Sequence, residues 1–261
     1  MESELACIDG QLVPQAQAMI PVTDQGLLRG DGVFEVIRLY GGQPYALDAH
    51  LERLERSAAG LRLPLDSDAI RSDVAALLAA RTREDVDVLV RMLATRGGHR
   101  IVLIEPMPAI PVSLALEPVS YAPVRLLDGI KSLSYAANML ASRLAREADA
   151  DEALLVTPHG RVLECPTSSF FIVRGGEVWT APLSDHVLDS ITRRVVLAVA
   201  AVREQPIELA ALADAQEAFI ASTPHEVCGV HRVGSHHYDA PGTRTSEIAA
   251  LVRERIASEL R

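Results

Sequence analysis

The sequence has 261 residues, of which 49% are hydrophobic and 23% charged, as is ordinary for a globular protein with a sizeable core. Its formal net charge of −10 argues against nucleic acid as the main partner, because a phosphate backbone requires a basic surface. The three cysteines are far apart and show neither metal-ligand spacing nor a disulfide pattern. Neither a secretory signal nor an apolar run that could span a membrane is visible, so we expect a cytoplasmic protein without membrane contacts.

The first part of the chain predicts a small α/β domain over residues 1–118. Asp9-Gly10 favours a tight hairpin between two short strands, and residues 24–32 form a glycine-rich loop before a strand at 33–40. Asp48 is the predicted N-cap of a helix over 48–61 with one apolar stripe. The remaining predicted elements are a helix over 67–81 and strands over 86–94, 101–104 and 112–118.

The second part predicts a larger domain over residues 128–261, joined to the first by an inter-domain linker at 119–127 among prolines and polar residues. A strong helical stripe follows Lys131. The other predicted helices cover 189–202, 209–215 and 245–260, and the predicted strands cover 152–157, 162–163, 169–173, 178–180 and 218–221. Together the two parts predict an α+β (α/β) fold with two domains.

Lys131 is the only lysine in the chain, whereas 24 positions carry arginine. A guanidinium stays protonated and is a poor nucleophile, but a lysine amine can lose its proton and attack a carbonyl. The apolar neighbours of Lys131 predict partial burial, which favours the neutral and reactive amine. The count alone also fits the chance survival of one lysine in an arginine-rich sequence, so the surrounding motifs must decide.

Two segments with hydroxyl side chains could bind an anion. Ser190-Ile191-Thr192 begins a predicted helix, where free N–H groups and the helix dipole attract negative charge. Ser222-Thr223 follows a buried strand and could form a second anion site. Ser and Thr are also ordinary helix caps, and Glu164 by itself fits a surface turn, so these residues alone leave a purely structural role open.

Five further segments can be compared with known families, namely 30–35, 50–57, 129–138, 160–171 and 188–193. They occur in the same order as in the class IV (fold-type IV) pyridoxal-phosphate-dependent aminotransferase family, which the chain resembles over about residues 8 to 235. A further turn at 221–227 looks like the final phosphate-binding turn of that family. The family includes D-amino-acid and branched-chain aminotransferases, (R)-amine transaminases and aminodeoxychorismate lyase. The resemblance implies a two-domain fold with the cofactor at the domain interface, and a homodimer.

The resemblance also implies roles for individual residues. Lys131 corresponds to the lysine that forms a Schiff base with pyridoxal 5′-phosphate and moves the proton between Cα and C4′. Glu164 corresponds to the carboxylate that keeps the ring nitrogen protonated, so that the ring can accept electrons. The other cofactor-binding residues that it implies are Arg53, Tyr135, Leu188, Ile191, Thr192 and Thr223. No metal site is expected.

Three positions depart from the family pattern. Ser190 replaces a glycine before Ile191-Thr192, and Ser169 replaces an asparagine. Pro224 lies where many members have alanine or threonine, and proline has no N–H group. If that amide helps other members to bind a substrate carboxylate, this chain cannot use it.

The reaction predicted first is a ping-pong transamination between an amino donor and an α-keto acid. The donor is a D-amino acid, a branched-chain amino acid or an (R)-amine. The alternative is 4-amino-4-deoxychorismate lyase, which often has a threonine where this chain has the transaminase-like Glu35. Leu89 stands where branched-chain enzymes have a tyrosine, which weakens that assignment. A non-enzymatic cofactor carrier is disfavoured, because the lysine, the glutamate and the phosphate ligands are all present.

A keto-acid substrate needs at least one cationic anchor, since a planar guanidinium binds a carboxylate through two hydrogen bonds. The candidate anchors are Arg38, Arg96 and Arg100, with Arg91 as a further anchor. A solvated surface charge is the ordinary alternative for each arginine. The family resemblance adds Glu35, so the candidate substrate-binding residues are Glu35, Arg38, Arg96 and Arg100.

Overall fold

The computed structural model describes residues 4–81 and 87–261. In these ranges the chain mixes helices and strands, which confirms the predicted α+β class. No helix within these ranges is long and apolar enough to cross a membrane. The helices are α1 (Gln25–Arg29), α2 (Leu47–Gly60), α3 (Ser67–Ala79), α4 (Ala136–Glu147), α5 (Ile191–Val199) and α6 (Thr243–Glu259). The strands are β1 (Leu5–Ile8), β2 (Gln11–Pro14), β3 (Gly32–Tyr40), β4 (Gln43–Pro44), β5 (Val88–Thr95), β6 (Arg100–Pro106), β7 (Ser113–Ser120), β8 (Glu152–Val156), β9 (Arg161–Val162), β10 (Ser169–Arg174), β11 (Glu177–Thr180), β12 (Val202–Glu204), β13 (Ile207–Glu208), β14 (Glu217–Ser222), β15 (Glu226–Val233) and β16 (His236–His237).

The first of two compact units comprises Met1–Pro108 together with Ile130–Tyr135. Its described part contains a six-stranded antiparallel sheet in the order β2-β1-β6-β5-β3-β4. Helices α2 and α3 bury their apolar sides in the same core as the inward side chains of β3, β5 and β6. This packing follows from the two periodicities, because strands present every second residue and helices every third or fourth residue to one core.

The second unit comprises Ala109–Gly129 and Ala136–Arg261. Its mixed sheet has ten strands, in the order β12-β11-β10-β14-β15-β7-β8-β9-β13, with β16 paired to β15. Helix α4 packs Ala141 and Ala145 in a core with Ala153 and Leu155 of β8. Helix α6 buries one stripe of four residues along its length, Thr245, Ile248, Val252 and Ile256.

This division differs from the predicted boundaries in two places. Strand β7 and the predicted linker at 119–127 belong to the second unit, because β7 pairs with β15 and β8. Residues 130–135 belong to the first unit, because Val33 pairs with Ser132 and the Phe34 N–H donates to the Lys131 carbonyl over 3.1 Å. Both pairings join residues that are distant in sequence, so local patterns could not reveal them.

Several predicted elements need local correction. Asp48 is not an N-cap, because α2 begins at Leu47 and its cap position is Ala46. The glycine-rich loop contains the short helix α1, whose N-cap Asp24 accepts a hydrogen bond from the Gly26 N–H over 2.6 Å. The helix predicted to reach residue 202 ends at Val199, and β12 follows.

Two strands of the structure were not fully covered by the predictions. Strand β15 was not predicted, although it pairs along most of its length with β14. The strand predicted over 86–94 begins at a residue outside the described ranges, and the rest of it forms β5.

Candidate active site

Lys131 lies against the beginning of β3 with its amine over an aromatic surface. The Lys131 Nζ is 4.4 Å from the ring centroid of Phe34 and 5.9 Å from that of Tyr135. These two rings meet edge to face, with centroids 5.3 Å apart. The segment is fixed to β3 by two backbone hydrogen bonds, since the Phe34 N–H donates to the Lys131 carbonyl over 3.1 Å and the Leu133 N–H donates to the Gly32 carbonyl over 2.8 Å. The amine therefore has a defined aromatic surrounding within the first unit.

Helix α2 presents three buried polar side chains on one face. His50, Arg53 and Ser57 are spaced by three and four residues, which places them on the same side of a helix. The Ser57 hydroxyl accepts a hydrogen bond from the Lys131 N–H over 3.1 Å. The Arg53 Nε and one terminal nitrogen donate to the two carboxylate oxygens of Glu35 over 2.6 and 2.7 Å. The His50 Nδ1 lies 2.7 Å from the second of these oxygens.

The charges in this cluster are fixed by burial and pairing. Burial alone would raise the pKa of Glu35, but the hydrogen bonds and charge of Arg53, together with His50, lower that pKa to about 2. Burial lowers the pKa of His50 below its ordinary value, against the opposing effect of the Glu35 carboxylate. Glu35 is thus anionic and His50 neutral near pH 7, and Arg53 carries the balancing positive charge.

Arg91 is the arginine that contacts the aromatic surface beside Lys131. Its guanidinium carbon is 5.3 Å from the Phe34 ring centroid. Glu105 holds it through two hydrogen bonds, of 2.7 and 2.9 Å. Both side chains remain about one-third exposed, at 31% and 30%. Arg91 can therefore exchange this partner for another carboxylate at a modest cost.

The predicted substrate-binding residues take part in other contacts. Arg96 binds Asp31 and the carbonyls of Leu61 and Arg62. Arg100 and Arg38 pair with other carboxylates, those of Asp73 and Asp87 respectively. Glu35 is fully buried and binds Arg53 and His50. These contacts join loops and strands of the first unit, as the Arg91–Glu105 pair also does.

In the second unit, Glu164 is held at both its backbone and its side chain. The Leu155 N–H donates to the Glu164 carbonyl over 2.9 Å, and the Leu188 N–H donates to the carboxylate over 3.0 Å. Burial first, and the charge of Glu164 second, raise the pKa of Tyr121. The carboxylate is therefore oriented by the segment that leads into α5.

The beginning of α5 forms a suitable anion-binding element. Ser190 is its N-cap, and its hydroxyl accepts a hydrogen bond from the Arg193 N–H over 3.3 Å. The Ser190 side chain therefore caps α5, which a glycine at this position could not do because it has no side chain. Ile191 and Thr192, both buried, occupy the first turn, where N–H groups have no acceptor within the helix.

Thr223 lies in the tight turn between β14 and β15. The turn is closed by Ser222, whose hydroxyl is 3.0 Å from the His225 Nδ1 and accepts the His225 N–H over 3.4 Å. Burial lowers the pKa of His225. The structure thus places each residue predicted for phosphate binding in the second unit at a helix N-terminus or in a hydroxyl-bearing turn.

Comparison with known proteins identifies the family. Residues 32–233 match the sequence model of the amino-transferase class IV family. The chain belongs to this family. A putative branched-chain-amino-acid aminotransferase of Methanocaldococcus jannaschii is 34% identical over 255 residues, which cover 87% of this chain and 86% of that protein. A D-alanine aminotransferase of Listeria monocytogenes is 31% identical over 252 residues, with the same two coverages of 87% and 86%.

Solved structures agree with this assignment of the aminotransferase. The branched-chain aminotransferase of Thermoproteus uzoniensis with norvaline has a TM-score of 0.91 and 27% identity, covering 98% of this chain and 96% of that chain. The fold IV transaminase CpuTA1 of Curtobacterium pusillum has a TM-score of 0.88 and 26% identity, covering 97% and 99%. These relatives confirm the fold-type IV prediction. They support the transaminase prediction over the lyase alternative.

The aminotransferase uses pyridoxal 5′-phosphate to transfer an amino group between a donor and a keto acid. The donor set of the described residues fits this cofactor. The first unit supplies a primary amine on an aromatic surface and a buried guanidinium. The second unit supplies an oriented carboxylate and a helix N-terminus. These groups match an aldehyde, a phosphate and a ring nitrogen in chemical type.

Sequence reasoning missed three contributors to this site. Phe34 was not named, although its ring lies closer to the Lys131 amine than the ring of Tyr135 does. His50 and Ser57 were read as parts of a helix and not as site residues. The signal that could have revealed them is the 50, 53, 57 spacing, because polar residues at that spacing share one buried helix face.

Proposed function

We propose that this aminotransferase takes α-amino acids as donors and that Arg91 binds the substrate carboxylate. The observation that carries the proposal is the series Lys131–Phe34–Arg91, in which an amine and a guanidinium contact the same aromatic ring. A substrate amino acid has its amino and carboxylate groups on one carbon, so it needs a reacting amine and a cation at short separation. A carboxylate-free amine would not use Arg91.

Roles for the cofactor-binding residues form part of the same proposal. Lys131 attaches to the cofactor and moves the proton at the substrate Cα. Glu164 keeps the ring nitrogen protonated, oriented by the Leu188 N–H. When bound, pyridoxal 5′-phosphate supplies the electron sink that stabilises negative charge at Cα. The phosphate ligands are Arg53, Ile191, Thr192 and Thr223, and the residues that contact the ring system are Tyr135 and Leu188.

Arg91 binds the substrate through the carboxylate of the substrate. When a substrate carboxylate approaches, Arg91 exchanges its hydrogen bonds with Glu105 for two hydrogen bonds to the substrate. Because the Arg91–Glu105 pair is partly exposed, breaking it costs about 1 kcal/mol or less. The two hydrogen bonds to the substrate fix the plane of its carboxylate and so restrict how the substrate can rotate.

Borohydride reduction tests the assignment of Lys131. Treatment of the cofactor-loaded enzyme followed by peptide mapping is expected to leave the label on Lys131, the only lysine in the chain. Lys131→Ala should carry no label and show no transamination. Label on another group, or normal turnover by the variant, would refute the assignment.

A donor screen tests the substrate class. L-Leucine, D-alanine and (R)-1-phenylethylamine are each supplied with a keto acid, and product formation is measured for the wild type and for Arg91→Leu. The relatives named for branched-chain amino acids and D-alanine support the two amino acids as donors. In Arg91→Leu, KM for the amino acid should rise by about tenfold or more, as expected for the loss of a charge-assisted hydrogen bond. Equal use of the carboxylate-free amine, or an unchanged KM, would contradict the proposal.

The homodimer and the cytoplasmic location remain part of the proposal. Light scattering coupled to size-exclusion chromatography should give about twice the chain mass of 28.1 kDa. A mass equal to one chain at micromolar concentration would exclude the dimer. Cell fractionation of the native host should recover the enzyme with the cytoplasmic fraction.

A further inference from the structure

We propose that Glu35 and His50 are positioning residues that fix the orientation in which Arg53 meets the phosphate of the cofactor. The inference rests on the phosphate-binding role of Arg53 proposed above. It reassigns Glu35, which the sequence pattern placed among the substrate-binding residues. Neither Glu35 nor His50 needs to touch the cofactor, since both act through the guanidinium.

The contacts of Glu35 are those of a group that orients an arginine. Its side chain has no solvent exposure, and both of its oxygens accept hydrogen bonds. Arg53 donates from Nε and from one terminal nitrogen, so the two planar groups are joined by two parallel hydrogen bonds. This pairing uses two of the five N–H donors of the guanidinium and fixes its plane.

His50 fixes the carboxylate in turn. Its Nδ1 lies 2.7 Å from the Glu35 oxygen that also accepts from Arg53, and the ring is buried. Because burial keeps the imidazole neutral, it can donate a hydrogen bond without adding a second positive charge beside Arg53. The cluster therefore holds one cation and one anion, and the phosphate meets an arginine whose charge is already compensated within the protein.

The same helix face connects this cluster to Lys131. Ser57, one turn beyond Arg53, accepts the Lys131 N–H, and Phe34, the neighbour of Glu35 on β3, contacts the Lys131 amine. The positions of the arginine and the lysine are thus set by one helix and one strand of the same unit. Sites held on helices and strands keep a more precise geometry than sites on loops, which is what a ligand with two attachment points requires.

Equilibrium binding of the cofactor separates positioning from a general effect on folding. The full-length protein is stripped of cofactor and titrated with pyridoxal 5′-phosphate and, separately, with pyridoxal, which lacks the phosphate. Glu35→Gln keeps the size of the side chain but places a donor against Arg53 or His50. We expect it to weaken binding of the phosphorylated form by about tenfold, as for the loss of a charge-assisted hydrogen bond, with pyridoxal affinity unchanged.

Arg53→Leu and the double variant complete a thermodynamic cycle. Arg53→Leu should weaken binding of the phosphorylated form by about 100-fold. If Glu35 acts through Arg53, then Glu35→Gln has no further effect in the Arg53→Leu background. An unchanged affinity in Arg53→Leu would refute the phosphate role of Arg53 itself. A normal effect of Arg53→Leu with no effect, or tighter binding, in Glu35→Gln would refute only the positioning role.

A pair of His50 variants tests the proposal independently if Glu35→Gln does not fold. The asparagine Nδ2 occupies nearly the place of the histidine Nδ1, so His50→Asn should retain wild-type affinity, while His50→Leu should lose affinity for the phosphorylated form alone. Equal loss in both variants, or equal loss for both ligands, would overturn the proposal. Asp73→Asn is the matched control, because it alters another buried carboxylate paired with an arginine, Arg100, and should leave both affinities unchanged.

Discussion

Replacement of Glu35 by glutamine is expected to make the free energy of unfolding less dependent on pH in the acid range. The native carboxyl has a pKa of about 2, compared with 4.5 for an unpaired glutamate. A pKa that is lower in the folded state means that the unfolded chain binds the proton first as the pH falls. The contribution of Glu35 to stability is therefore complete above about pH 4.5 and is lost as the pH falls toward about 2.

The size of this effect follows from the two pKa values. The difference between 4.5 and about 2 corresponds to about 3 kcal/mol at pH 7, at about 1.36 kcal/mol for each pKa unit. At pH 3 the unfolded carboxyl is mostly protonated and the native one mostly ionised, so about 1 kcal/mol remains. Glu35→Gln has no such titration, so its stability should lack this component at every pH.

Urea denaturation at pH 7, 5, 4 and 3 measures the prediction. The wild type should exceed Glu35→Gln in free energy of unfolding by an amount that shrinks by about 2 kcal/mol between pH 7 and pH 3. Asp73→Asn serves again as a buried carboxylate control. A difference between wild type and Glu35→Gln that stays constant over this range would show that Glu35 is not held as a low-pKa anion, and would refute the assignment of the charges in the cluster.

Three other changes have defined expectations. Glu217 accepts the N–H groups of Arg244 and Thr245 at the start of α6, so Glu217→Ala should lower the free energy of unfolding by about 1–2 kcal/mol in urea denaturation, whereas loss of a surface carboxylate should not. In Gly32→Ala the added methyl would lie 2.5 Å from the Ala94 carbonyl oxygen, so the variant should be less stable by about 1–3 kcal/mol by the same measurement, and an equally stable variant would contradict the close packing. Glu164→Gln should reduce kcat on the order of 100-fold with intact cofactor binding, and undiminished kcat would refute its role at the ring nitrogen.

The motifs of the sequence were sufficient to indicate the family and the chemistry. A single lysine among 24 arginines, a carboxylate after a strand and hydroxyl residues at a helix start are local features, and each can be read in order along the chain. Most helices and strands were also predicted within a few residues of their observed ends, because apolar periodicity is a property of consecutive residues.

Such local patterns could not predict which residues pair with one another when they lie far apart in the chain. Arg96 and Arg100 were interpreted as substrate ligands, yet each binds an acid that is 65 or 27 residues away. Glu35 matched a transaminase motif, but its hydrogen bonds are to Arg53 and His50, which come from a different element. An arginine in a sequence carries no sign of which carboxylate neutralises it.

The sequence by itself was sufficient to indicate the cofactor and the reaction class and to single out one lysine, because these depend on the chemical identity of side chains at fixed local spacing. Only the tertiary structure decided that Ile130–Tyr135 joins the first unit and that Arg91 and Lys131 contact the same Phe34 ring. The physical reason is that hydrogen bonds between strands and pairs of buried charges form between residues far apart in the chain. Their energies depend on distance in space, which the order of residues does not specify.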